Sequence, residues 1–118
     1  MLKLINASRV NNGLSKLKLN TRLSTEAKDH STDMAASGQL FHSANLADLM
    51  HWPWSKAAEN IGCGESVHVV HNAFMASAEH KGNILDPDFR RVGIGVVPGT
   101  GSGSCGAGGV WATEDFYG

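Results

Sequence analysis

The chain has 118 residues, of which 42% are apolar and 18% charged, and its formal net charge is −1. This length suffices for one domain with a single core, and the composition is that of an ordinary globular protein. These totals give no indication of binding to nucleic acid or to a membrane, and no apolar run approaches the length of a membrane-spanning helix.

The basic residues are concentrated at the start of the chain. Residues 1–28 contain six lysines and arginines and one acidic residue, whereas residues 29–118 contain four basic and ten acidic residues. We interpret this segment as a solvated basic helix face, the alternative being a basic docking surface. The first residues lack the apolar core of a signal peptide, so the protein is either cytosolic or has lost a leader.

Two helices are predicted in the first third of the chain. Residues 2–12 place apolar side chains on one stripe, and Asn12-Gly13 ends that helix. A longer helix, capped by Asn20 or Thr21, is predicted to run to about Ser37 with Gly38 after its last turn. His30 falls on the apolar stripe of this second helix, which favours a hydrogen-bonded histidine in the core.

The segment from Gly38 to Glu65 is irregular, apart from a short helix predicted over residues 45–50. We interpret Trp52 and Trp54, which follow it, as lids on the core. Ser66 is predicted to cap a helix of about twelve residues with Val67, Val70 and Phe74 on one face. His68 and His71 on that helix could chelate a metal at the surface, but a solvated face is favoured.

The last third of the chain has the pattern of strands. Residues 92–97 and 110–116 predict an antiparallel hairpin joined by a connector rich in glycine and serine, and the segment AENIGCG predicts a third strand. Helices followed by a small sheet indicate an α+β domain with helices packed on the sheet. The connector contains GSGSCG, which matches a dinucleotide-binding pattern, but it leads into a strand rather than a helix, which excludes that function.

Three residues at breaks between these elements are candidates for chemistry: His42, Glu59 and His80. Two imidazoles and a carboxylate can form an open zinc site for metal-assisted hydrolysis. The spacing of the three residues matches no known ligand pattern, so the residues alone leave the site open.

The segments FHSAN, AENIGCG, FMASAEHKGNILDPDFRRVGIGV and VWATEDFYG resemble the CAP superfamily (cysteine-rich secretory proteins, antigen 5 and plant pathogenesis-related 1), in particular its small bacterial members. The resemblance extends over residues 1–118 and implies one CAP domain, a three-layer α-β-α sandwich with a central cleft. It matches His42 and His80 to the paired histidines of the family and Glu59 to the first of two acids.

The resemblance leaves the second acid of the cleft in doubt, because Ser77 stands at its position and Glu79 substitutes only if its side chain turns into the cleft. Glu59 is then either a metal ligand or the acceptor that orients an imidazole, and Asn60 is expected to bond backbone at the start of the strand. A Cys63–Cys105 disulfide fits the resemblance, with free buried thiols as the alternative. The expected location is outside the cell or in its envelope, with the leader absent from this chain.

Two functions remain open at this stage. The favoured one is a non-enzymatic, monomeric domain whose cleft binds a divalent metal, zinc, and a small lipid-like ligand, a protein or a cell-wall partner. The other is a metal-dependent hydrolase of peptides or cell-envelope material, with Glu59 or Glu79 as general base. A cluster that holds no ligand at all is the third alternative.

Overall fold

The computed structural model describes residues 1–44, 46, 54–99, 105 and 108–118. Within these residues the helices are α1 (Leu2–Asn11), α2 (Thr21–Ser37), α3 (Val67–Ala76) and α4 (Ala78–Ile84). The strands are β1 (Lys18–Leu19), β2 (Ala57–Gly64), β3 (Arg91–Pro98) and β4 (Val110–Tyr117). The helix predicted over residues 45–50, and Trp52 after it, lie outside the described residues except for Leu46.

The strands form one sheet in the order β1-β3-β4-β2. Strand β4 pairs antiparallel with both β3 and β2, which confirms the predicted hairpin and the third strand. Strand β1 pairs parallel with β3 and was not predicted, because two residues are too few to show an alternating pattern.

Helices cover both faces of the sheet, which confirms the α+β three-layer architecture. On one face, α2 contributes Leu23, Met34 and Ala35 to clusters with β2, β3 and β4. On the other face, α1, α3 and α4 pack on the sheet, and this cluster is formed by Ile5, Leu17, Val70, Phe74, Ile84, Phe89, Val92, Ala112 and Phe116. The sheet is therefore buried on both sides.

Helix α2 begins and ends where the sequence predicts. The side chain of Asn20 accepts a hydrogen bond from the Leu23 amide at 2.9 Å, and Gly38 adopts a left-handed conformation with φ of 70°. The helix lies close to the sheet at Gly95, where a Cβ atom would meet the backbone of Lys28. Only glycine, which has no Cβ atom, allows the helix and the strand to lie this close together.

The single helix predicted after Ser66 is in fact two. Ser66 caps α3 as predicted, accepting from the Val69 amide at 3.2 Å. Ser77 then adopts an extended conformation, with φ of −103° and ψ of 125°, which ends α3 and starts α4. This break turns the direction of the chain just before His80.

Three interpretations of single side chains were wrong. Trp54 is 36% exposed and is no lid on the core. His30 is half-buried rather than in the core, although its ring is hydrogen-bonded as predicted, with Nε2 2.6 Å from the Phe41 carbonyl oxygen. His71 is 5% exposed rather than solvated, and its Nε2 lies 2.9 Å from Ser8 Oγ.

Arg9 is a basic residue that is buried in the folded domain. Its side chain is buried between α1 and the turn after α4, where it donates to backbone carbonyls of Ser15, Ile84, Asp86 and Phe89. Because backbone oxygens rather than carboxylates accept these bonds, Arg9 fixes the course of the chain between α4 and β3.

Cys63 and Cys105 form a disulfide with a Cα–Cα distance of 5.9 Å, so the predicted bridge is confirmed. It joins β2 to the connector before β4. In the described part of the chain, no helix combines the length and the apolar character needed to span a membrane.

Candidate functional site

The first half of the site is held on β2 by Glu59, whose side chain is buried. Glu59 Oε1 lies 2.9 Å from His42 Nδ1 and accepts from the Ser43 amide at 2.8 Å. Its Oε2 accepts from Ser43 Oγ at 2.6 Å. Both carboxylate oxygens are thus engaged, and the contact with Nδ1 fixes the His42 ring while 65% of the His42 side chain remains exposed.

The second half of the site lies on α4 and is held by the next residue of β2. Asn60 is fully buried and donates through Nδ2 to the His80 carbonyl oxygen at 3.1 Å and to Glu114 Oε1 at 3.1 Å. Asn83 donates to Asn60 Oδ1 at 2.9 Å. Asn60 bonds backbone as predicted, but the backbone belongs to α4 and not to the start of its own strand.

The site lies at the open edge of the sheet, because Glu59 and Asn60 belong to the edge strand β2. Successive side chains of a strand point to opposite faces, so Glu59 reaches His42 on the α2 face and Asn60 reaches α4 on the other. The structure therefore brings His42 and Glu59 into direct contact, whereas His80 is held separately, through its backbone, by Asn60.

The protonation of these groups follows from their surroundings. Burial works to raise the pKa of Glu59, but the neighbouring Asp115 and the hydrogen bonds from Ser43 and His42 outweigh it, so the pKa is lowered. Burial lowers the pKa of His80, an effect that Glu79 opposes and His42 reinforces. At neutral pH Glu59 is an anion and His80 is a neutral imidazole.

Two further acids lie behind the cleft on β4, and both are fully buried. Burial raises the pKa of Glu114 to about 8 despite its bond from Asn60. Burial and the nearby carboxylates of Glu59, Glu26 and Glu114 raise the pKa of Asp115 to about 10. Among the described residues, Glu114 Oε2 has no hydrogen-bond partner.

The remaining candidates flank His80. Ser77 is half-buried at the break between α3 and α4, and Glu79 is exposed on the first turn of α4. The ring of His80 packs against Phe74 with centroids 4.9 Å apart. In the part of the chain that the structure describes, no three histidine, cysteine or acidic side chains are arranged to hold a metal ion.

The contacts of Glu59 favour the orienting role over direct ligation, since both of its oxygens are already bonded.

Sequence reasoning missed Glu114, Asp115 and Asn83. The signal for the two acids was their position side by side in an apolar strand. In a strand covered on both faces, adjacent residues are both buried, so the segment TED could not place both carboxylates in solvent.

With this geometry in place, comparison with known proteins identifies the class of the domain. The model of the CAP family, described as the cysteine-rich secretory protein family, matches residues 2–116. The chain belongs to this family.

Similar proteins include YkwD of Bacillus subtilis, an uncharacterized protein, which is 31% identical over 126 residues. That alignment covers all of this chain and 46% of YkwD, so the chain spans about half the length of this relative.

Solved structures show the same fold. An extracellular protein containing an SCP domain from Bacillus anthracis has a TM-score of 0.75 at 23% identity, over 98% of this chain and 38% of that one. An outer surface protein from Borrelia burgdorferi has a TM-score of 0.80 at 16% identity, over 98% and 87% of the two chains. Neighbours of this fold are thus described as extracellular or outer surface proteins.

Proposed function

We propose that this domain acts outside the cell or in its envelope as a non-enzymatic binding module. In this proposal, His42 and His80 bind a divalent metal, zinc, and the cleft receives a small ligand or a partner at the metal. When bound, zinc would offer an open coordination position to a donor atom of that ligand.

The observation that carries the proposal is the contact between Glu59 and His42. A carboxylate at Nδ1 holds the imidazole in one tautomer, with the lone pair on Nε2. The His42 side chain is 65% exposed, which leaves the ring open to solvent. A buried carboxylate behind an exposed imidazole is the usual support of a metal-ligating histidine.

His80 supports the proposal from the other side of the cleft. Its backbone is held by Asn60, and its ring packs on Phe74, so the imidazole has little freedom to turn. Because burial lowers its pKa, it is neutral and able to ligate at physiological pH.

The hydrogen bonds that Glu59 accepts also argue against the hydrolase alternative. A general base must be free to accept a proton from water, yet Glu59 accepts three hydrogen bonds and is buried. Glu79 is exposed to solvent, which is a poor setting for such a base. These contacts favour binding over catalysis.

Zinc titration by calorimetry tests the proposal, at about pH 7.5, where imidazoles are mainly neutral. We expect binding of one zinc ion that is lost in both His42→Ala and His80→Ala. His68→Ala is the matched control, because His68 is an exposed histidine on α3 that is not part of the proposed site. Zinc affinity that survives in both cleft variants, or that falls equally in the control, would contradict the proposal.

Affinity for zinc should also depend on pH. Protonated imidazole cannot ligate, so binding should weaken as the pH falls below about 6.5. A flat affinity between about pH 5 and 7.5 would exclude histidine ligands. Turnover of peptides or of cell-wall fragments by the zinc-loaded wild type, lost in Glu59→Gln, would favour the hydrolase instead.

A further inference from the structure

The structure gathers exposed cations from separate segments along one edge of the sheet. We define the basic strip as Lys3, Lys16, Lys18, Arg22 and Arg91, all of them exposed. Strand β1 is the edge strand here, opposite the edge that carries the histidine cleft. The strip is therefore a different surface from the proposed metal site.

The pairing of β1 with β3 brings Lys18 and Arg91 together at the centre of the basic strip. Lys18 is the register partner of Arg91, and in neighbouring strands such partners lie about 4.8 Å apart with side chains on the same face. The Lys18 amide bonds the Arg90 carbonyl oxygen at 3.0 Å, and the Asn20 amide bonds that of Val92 at 2.8 Å. Arg22 follows in the first turn of α2.

The other end of the strip is formed by α1 and the loop after it. Lys3 and Lys16 line one surface groove of about 430 Å³, together with apolar side chains that include Leu2 and Val10. Lys16 lies two residues before Lys18, so the two ends are continuous along the chain. Arg9, the remaining cation of α1, is buried on backbone carbonyls and does not contribute.

These cations lack anionic partners within the described residues. The ion pairs there join His42 to Glu59 and Lys56 to Asp86 and Asp88, and none includes a residue of the strip. Lysine on an edge strand also prevents pairing with another sheet. That role requires a charge on β1 alone. It does not explain why Arg91, Arg22, Lys3 and Lys16 are gathered on the same surface.

We propose that the basic strip binds a linear anionic polymer whose charges are phosphodiesters. Successive phosphates of such a chain can contact cations that follow one another along an edge, and arginine holds a phosphate through two parallel hydrogen bonds. A lipid bilayer is the competing partner, because interfacial binding uses inserted apolar or aromatic side chains. Beside the strip, Val10 is 51% and Leu19 is 42% exposed, so the experiment compares the polymer directly with lipid vesicles.

The experiment uses a fluorescently labelled poly(glycerol phosphate) chain as the probe and measures its anisotropy against protein concentration at low salt. The variants are Lys18→Glu and Arg91→Glu. Lys81→Glu is the matched control: it changes the net charge equally, and Lys81 lines a different groove with Lys56 and Asp86. Circular dichroism verifies that each variant is folded.

We expect the wild type to bind and each strip variant to lose about tenfold or more in affinity, since reversing a charge replaces an attraction with a repulsion. The control should retain its affinity, and added salt should weaken wild-type binding by screening. Absence of wild-type binding at low salt would overturn the proposal. So would an equal loss in Lys81→Glu, or tighter binding to phosphatidylglycerol vesicles than to the polymer at equal phosphate concentration.

This proposal does not depend on the zinc site. The histidine variants should bind the polymer as the wild type does, and the strip variants should bind zinc unchanged.

Discussion

Replacement of Glu114 by glutamine should raise the free energy of unfolding of the domain, and the increase should be larger at higher pH. Glu114 is fully buried, and burial raises its pKa to about 8 from an ordinary value of 4.5. Its Oε1 accepts from Asn60, an interaction that the carbonyl oxygen of a glutamine reproduces. The variant therefore keeps the shape and the hydrogen bond while removing the titration.

The sign of the effect follows from proton linkage. A carboxyl group whose pKa is raised on folding binds its proton more tightly in the folded state. The resulting stabilisation is complete below the ordinary pKa and is lost as the pH rises toward the folded-state pKa. A tenfold difference in proton affinity corresponds to about 1.4 kcal/mol, so the loss reaches at most about 3.5 kcal/mol by pH 7.

Urea unfolding of the wild type and of Glu114→Gln, at several values between about pH 4.5 and 8, measures this effect. The free energies of unfolding should agree within about 1 kcal/mol at the acid end and diverge as the pH rises, with the variant the more stable. Other titrating groups cancel in the difference. Asp115, whose pKa Glu114 helps to raise to about 10, stays protonated in the folded wild type throughout this range. A difference that does not change with pH would refute the assignment of a buried, protonated Glu114.

Three further substitutions test the fold. Arg9→Met should lower the free energy of unfolding by about 3 kcal/mol or more, measured with urea, because it leaves buried carbonyls without donors; a loss under about 1 kcal/mol would contradict that role. Gly95→Ala should cost about 1–3 kcal/mol by forcing α2 from the sheet, whereas Gly82→Ala, with open space around it, should be neutral or stabilising. The double variant Cys63→Ser, Cys105→Ser should lose about 4 kcal/mol, and unchanged stability would mean that the bridge does not constrain the unfolded chain.

The helices and strands could be predicted from local signals alone where those signals were strong. Asn20 and Gly38 bound α2 because a side-chain cap and a left-handed glycine act within one turn. The break at Ser77 could not be predicted in this way, because nothing in the sequence ASAEHK forbids a continuous helix. It arises from tertiary contacts, since Asn60 holds the His80 carbonyl oxygen and Phe74 holds the His80 ring.

Only part of the candidate site could be predicted from the sequence, and the spacing of its residues was not the signal. His42, Glu59 and His80 were candidates because they lie at breaks between elements, and the family resemblance then matched them to its cleft residues; the structure shows the contact between His42 and Glu59. The role of Ser43 depends on a bend after α2 that brings its amide and hydroxyl to the same carboxylate. Such geometry has no periodic signature, so it could not be derived from the order of residues.

The register of β2 and β4 connects the polar interior to the cleft. Glu59 pairs with Asp115, and Asn60 pairs with Glu114, so each half of the site has a buried acid of β4 behind it. Because the pKa of Asp115 is raised and that of Glu59 is lowered, the negative charge of this pair resides on Glu59 at neutral pH. A slip of one residue would point Glu59 to the α4 face and remove it from His42. The hydrogen-bonding register of the sheet, rather than any loop, therefore determines which imidazole is oriented by a carboxylate.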